Sequence, residues 1–296
     1  MTSDRERWPQ FLGVEPSDRP RAVVLPVPYE ATTSYHEGTA GGPRAILEAS
    51  TQVELYDELA GDEPWRAGTA TRPPVDVEGR PEAVLGRIAD AVASELERGV
   101  FVCSLGGEHT VTVGCVRGAA RCATELVVVS IDAHADLRDE YQGSRYSHAC
   151  ALRRVVDDGH QVIEVGVRSM SGDEAGALST LDITIIDAAR VEASRRRGTG
   201  REWIDRVRDA VAGRNVYLSI DLDGLDPSVV PGVGTPEPGG LLWYETLALM
   251  DRVFGASRVL AADVVELRPV GGDAVSAFAA ARLTYKILGH ALRTPR

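Results

Sequence analysis

The chain has 296 residues, 44% of them hydrophobic, enough for a sizeable core in one large α/β domain or at most two. Its formal net charge is -12, Lys+Arg 32 against Asp+Glu 44, which argues against nucleic acid as a main partner and suits a cationic ligand or metal ions. No apolar run is long enough to span a membrane, and the polar start Met1 to Arg7 lacks a secretory apolar segment.

Residues 1 to 20 read as a mobile, Pro-punctuated lead-in. A first strand follows at Arg21 to Leu25, then a polar loop from Pro26 to Gly38 and a helix opened by Pro43. The stretch from Leu59 to Val77 shows no regular pattern. Glu82 to Arg98 has helical periodicity, and Gly99 ends it. Strand 100–105, a helix near 111–121 and strand 126–131 form a βαβ unit. Ser147 is placed to cap a helix from Ala149 to Val156, which Gly159 closes. Further strands are predicted at Gln161 to Val167, Ile183 to Ile186, Asn215 to Ile220 and Arg258 to Val265. Helices are predicted near 173–180, Glu202 to Val211, Trp243 to Val253 and Asp273 to Leu288. Strands alternating with helices predict a parallel sheet covered on both faces, with the site beyond the carboxyl ends of the strands. Cys103 falls in a strand and Cys115, Cys122 and Cys150 in helices, with no CxxC pair. Buried free thiols in a reducing cytoplasm are expected.

Three strand ends carry the chemistry. Leu126 to Val129 runs into Ile131-Asp132-Ala133-His134-Ala135-Asp136. On extended chain Asp132, His134 and Asp136 should share one side. The second is Ser219-Ile220-Asp221-Leu222-Asp223, and the third Gly106-Gly107-Glu108-His109. Four aspartates and two histidines, with no thiolate, favour a borderline-hard ion such as Mn²⁺ over structural Zn²⁺. Six ligands exceed what one open catalytic ion needs. They suffice for two ions about 3.5–4 Å apart that share bridging carboxylates and activate water at neutral pH. A single Asp-x-Asp at a strand end is often only a cap; three motifs together point to a binuclear site.

Those same motifs, with Asp226-Pro227, Tyr29 to Gly38, Gly41 to Ala45, Pro231 to Gly240 and Asp263-Val264-Val265-Glu266, resemble the ureohydrolases, the arginase–agmatinase family. The resemblance runs from about Val23 to the C-terminal helix. It implies a single three-layer α/β/α domain over residues 1–296 with a central eight-stranded parallel sheet. It also implies two Mn²⁺ per chain, hydrolysis of a guanidino compound to urea and an amine, and a cytoplasmic homotrimer or homohexamer. Carried over by position, His109 and Asp136 would hold one ion, His134 and Asp223 the other, with Asp132 and Asp221 bridging. His148 would be the proton-transfer residue and Glu266 the guanidinium-binding carboxylate, both touching substrate. At the start of a helix, His148 could be tuned near neutrality.

The loop Leu137 to Arg145 and the segment Gly166 to Ser171 lack the arginase pattern and look more like agmatinases. Agmatine, a dication, is therefore the expected substrate, with guanidinobutyrase, guanidinopropionase and arginase as alternatives. Arg138 or Arg145 at the mouth would hold a carboxylate in a guanidino-acid hydrolase, and His36 lies in a loop able to reach the substrate's far end. Outside the family stand another binuclear metallohydrolase, such as a phosphoesterase, and an inactive metal-binding scaffold.

Overall fold

The computed structural model describes residues 8–198 and 201–293. Eight strands form one sheet: β1 (Ala22–Val27), β2 (Thr69–Thr71), β3 (Phe101–Gly106), β4 (Leu126–Ile131), β5 (Gln161–Val165), β6 (Ile183–Ile186), β7 (Asn215–Asp221) and β8 (Arg258–Val265). Their order is β2-β1-β3-β8-β7-β4-β5-β6, and every pairing is parallel. The helices are α1 (Gly42–Ser50), α2 (Pro81–Glu97), α3 (Val111–Ala120), α4 (Ala151–Asp157), α5 (Gly172–Ala177), α6 (Ala188–Arg197), α7 (Glu202–Val211), α8 (Trp243–Ala256) and α9 (Ala274–Leu292).

The central strands are largely apolar on both faces because helices cover both. On β4, Val127, Val129 and Ile131 join a core with Ile46 and Leu47 of α1, Trp203 of α7, Met250 of α8 and Ile287 of α9. Leu126 and Val128 join the other core, with Leu85 and Ile88 of α2, Val116 of α3 and Leu152 of α4. This is the three-layer architecture expected. On the second face one row is polar. Ser104 stands beside Asp263, Asp263 beside Ser219, Ser219 beside Ser130, and Ser130 beside Glu164, so the row crosses β3, β8, β7, β4 and β5.

Several boundaries differ from expectation. The irregular stretch 59–77 contains β2, a three-residue edge strand. Helix α6 has little apolar periodicity, since Ala188, Val191 and Ser194 are its buried residues. The predicted lead-in is anchored from Trp8 onward, while residues 1–7 of it lie outside the described residues. Phe11 and Leu12 are buried, their backbone N–H groups donating to Thr71 Oγ1 and Ser50 Oγ. Ser147 occupies the cap position of a short 3₁₀ turn, His148–Cys150, but makes no capping bond. Cys122 lies just past the end of α3. All four thiols are free, and burial pushes the Cys115 thiol up to about 12. No helix among the described residues is long and apolar enough to cross a membrane.

Candidate metal centre

The strands β3, β8, β7 and β4 lie side by side at the sheet's centre, and their carboxyl ends deliver His109, Glu266, Asp221 and Asp132. Tight backbone packing brings them together. A Cβ on Gly107 would lie 2.1 Å from the Tyr29 carbonyl oxygen, and one on Gly224 would lie 2.6 Å from the Asp132 nitrogen. Only glycine permits those approaches.

Two groups of donor atoms converge: His109, Asp132 and Asp136, then Asp132, His134 and Asp223, so Asp132 belongs to both. His109 Nδ1 lies 3.0 Å from Asp132 Oδ2, 3.0 Å from Asp136 Oδ2 and 3.4 Å from Asp221 Oδ2. His134 Nδ1 lies 3.0 Å from Asp223 Oδ2 and 3.7 Å from Asp132 Oδ1. Asp221 stands outside both tight groups, its Oδ1 accepting the Asp223 N–H at 2.9 Å. The grouping does not arise from strand alternation, because β4 ends at Ile131. Asp136 reaches the cluster through a left-handed backbone (φ 48°), and Glu266 likewise has φ 65°. Such a conformation is costly for a residue with a Cβ and collects at functional sites.

The electrostatics are frustrated. Burial works against charge on His109, yet bonds to Asp132 and Asp136 raise its pKa well above the ordinary value. His134 is pushed up to about 12, burial opposing and Asp132 and Asp223 winning. Burial, then the field of Asp223, raises the Asp221 carboxyl well above its usual range, and the same two causes raise Glu266. Asp132 Oδ2, buried and 3.0 Å from His109 Nδ1, has no hydrogen-bond partner among the described residues. Excess buried carboxylate with an orphaned oxygen fits a site for cations.

A cavity of about 220 Å³ opens over the cluster, lined by His134, Asp136, Arg138, Tyr141, His148 and Thr235 among others. His148 Nδ1 lies 3.3 Å from Thr32 Oγ1 and Nε2 lies 3.4 Å from Ser34 Oγ. Glu266 is not a lining residue. Its Oε1 accepts the His109 backbone N–H at 2.7 Å, and a Cβ on Gly234 would lie 3.5 Å from its Oε2. Arg138 lines the mouth, stacked on Tyr141 and 3.8 Å from Glu174. Arg145 is tied to Asp139 at 2.8 Å and Asp157 at 3.6 Å. The His36 ring lies against Tyr35, centroids 3.9 Å apart and tilted by 45°.

Two supporting residues escaped the sequence reading. Glu108 accepts the N–H groups of Ala31 and Thr32 and the hydroxyls of Thr32 and Thr110, locking the 29–38 loop onto the end of β3. Arg168 donates to the carbonyls of Asp223, Leu225 and Glu237, fixing the turn after β7. Both lie inside segments singled out from the sequence, Gly106 to His109 and Gly166 to Ser171, which was the available signal.

Fold and site together define a parallel α/β protein with a pocket suited to a pair of cations. The chain belongs to the arginase family, the ureohydrolases, whose family model matches residues 20–289. It is 41% identical to N(1)-aminopropylagmatine ureohydrolase of Synechocystis sp. over 90% of this chain and 88% of that protein. It is 32% identical to agmatinase of Bacillus subtilis, covering 84% of each chain. The structure of the agmatine ureohydrolase of Thermoplasma volcanium superposes with a TM-score of 0.82 at 30% identity, covering 92% of this chain and 90% of the other.

Proposed function

We propose that the chain hydrolyses the guanidino group of an agmatine-type amine to urea and the free amine, using two manganese ions. The carrying observation is the pair of donor groups that share Asp132. His109 and Asp136 would hold one ion and His134 and Asp223 the other, with Asp132 and Asp221 between them. When bound, the metal pair supplies the Lewis acidity that makes water nucleophilic at neutral pH. His148, at the cavity wall and steadied by Thr32 and Ser34, transfers the proton that the leaving amine requires. Glu266 faces the space beside Gly234 and orients the guanidinium.

The greater likeness to the Synechocystis protein supports the N(1)-aminopropyl derivative ahead of agmatine itself. A guanidino acid is the second reading, and Arg138 at the mouth is what favours it. Arg145 does not, because its guanidinium is engaged by two aspartates. We further propose assembly as a homotrimer or homohexamer in the cytoplasm. The test is urea release with added Mn²⁺ over N(1)-aminopropylagmatine, agmatine, arginine and 4-guanidinobutyrate. Preference for either amine supports the proposal. Preference for an acid overturns the substrate class, and no urea from any overturns the activity.

A further inference from the structure

One turn of hydrogen bonds beneath the cavity has no part in the scheme above. His109 Nε2, the ring nitrogen facing away from the aspartates of the cluster, lies 3.2 Å from Ser219 Oγ. Ser219 Oγ donates to Asp263 Oδ1 at 2.7 Å. Thr112 Oγ1 and Tyr217 OH donate to Asp263 Oδ2 at 2.8 Å and 2.7 Å. All of these side chains are buried, and Ser219 and Asp263 belong to the polar row that crosses the sheet. A hydroxyl has one hydrogen, and that of Ser219 is spent on Asp263. Toward His109 it presents only a lone pair. Nε2 must then carry the imidazole hydrogen, which frees the Nδ1 lone pair for a cation beside Asp132 and Asp136.

We infer that Asp263, acting through Ser219, is a positioning residue that fixes the His109 tautomer and so sets the strength of one metal position and not the other. The inference rests on the metal assignment proposed above. The second ion's histidine, His134, sets its Nδ1 against Asp132 and Asp223 instead. The asymmetry is therefore a property of the site. Partners of this kind typically contribute 10–100-fold in metal affinity.

The experiment is Mn²⁺ titration of the full chain by calorimetry and electron paramagnetic resonance, which separates a coupled pair of ions from a single one. In Ser219→Ala and Asp263→Asn, one of two affinities should fall about 10–100-fold, leaving a single tightly held ion, while the second affinity stays at the wild-type value. Equal weakening of both ions, or neither, overturns the inference although the wild type binds two. A wild-type chain that binds no manganese overturns the metal assignment and the inference with it. Should both variants fail to fold, nitrogen-15 spectra of histidine-labelled wild type loaded with diamagnetic Zn²⁺ read the tautomer directly. A hydrogen on Nε2 of His109 supports the assignment, and a hydrogen on Nδ1 overturns it.

Discussion

Charge is buried at both edges of the sheet, and the two edges treat it differently. At the amino edge, Lys286 on α9 lies 2.8 Å from Asp57 and 3.0 Å from Glu58, and Arg282 lies 3.0 Å from Glu58. Asp57 also accepts the N–H groups of Leu59 and Ala60, which leaves little valence open and holds its carboxyl below the usual range despite burial. At the carboxyl edge, Asp132, Asp136, Asp221, Asp223 and Glu266 face two histidines, with an orphaned oxygen on Asp132. Equal burial thus serves two ends. A closed network specifies the fold, and an open one keeps charge that cations would satisfy.

The largest expected effect comes from Asp132, the residue shared by both donor groups. Asp132→Asn should take urea release to background and leave less than one manganese per chain, whereas Asp223→Asn should retain more metal. The metal-free Asp221→Asn protein should melt higher than metal-free wild type, because burial and the field of Asp223 make Asp221 the surplus charge. A lower melting point would mean that the carboxyl edge is a closed network like the amino edge. Next in size is His148→Asn, expected to lower kcat by about 10²–10⁴-fold with metal content unchanged. Loss of metal would move His148 from proton transfer to ligation.

At the closed edge, Lys286→Met should cost about 3–5 kcal/mol of stability in denaturant titration, since Asp57 would be left buried and unpaired. A cost below about 1 kcal/mol would class the pair with surface ion pairs. Glu266→Gln sits between the two regimes, because its carboxylate both supports the His109 N–H and would bind substrate. An amide oxygen can still accept that N–H. Metal content should therefore hold while kcat/KM falls at least about tenfold, the loss of one charge-assisted pair. Metal loss instead would make Glu266 a strut for His109.

The strand-end motifs made the sheet and the His–Asp cluster legible, because long apolar strands ending in Asp and His leave few alternative placements. What stayed hidden had weaker local signals. β2 is three residues at a sheet edge, below the length at which alternation shows. α6 carries five charges on a short polar segment, and its two signals were the Asp187 cap and the left-handed Gly198. Asp136 reaches the cluster by a backbone turn, not by the strand alternation expected of it. The Asp263 network depends on which strands are neighbours, β3, β8 and β7 being far apart in sequence; a lone aspartate inside an apolar strand was its trace.

The smallest expected effect is a pH dependence that separates the two edges by sign. His290 on α9, stacked on Phe254 with centroids 5.1 Å apart, has its pKa lowered to about 4. Burial is the main cause, Arg293 adds to it, Asp251 and Asp57 oppose, and Lys286 assists. Between about pH 6.5, where an unfolded histidine titrates, and the lowered value near 4, the unfolded chain binds a proton that the folded chain refuses. Stability from this group is therefore complete above the unfolded value and is lost as pH falls through that window. The site histidines of metal-free protein act oppositely: their raised pKa values give stability that is present below about 6.5 and lost as pH rises. Subtracting His290→Phe from wild type at each pH cancels the shared site terms, since the two regions are far apart and additive. The difference should shrink steadily from pH 7 to 4, the variant losing less stability than wild type. A difference that grows on acidification would place His290 as a charged partner of Asp251, making the amino edge an open network too.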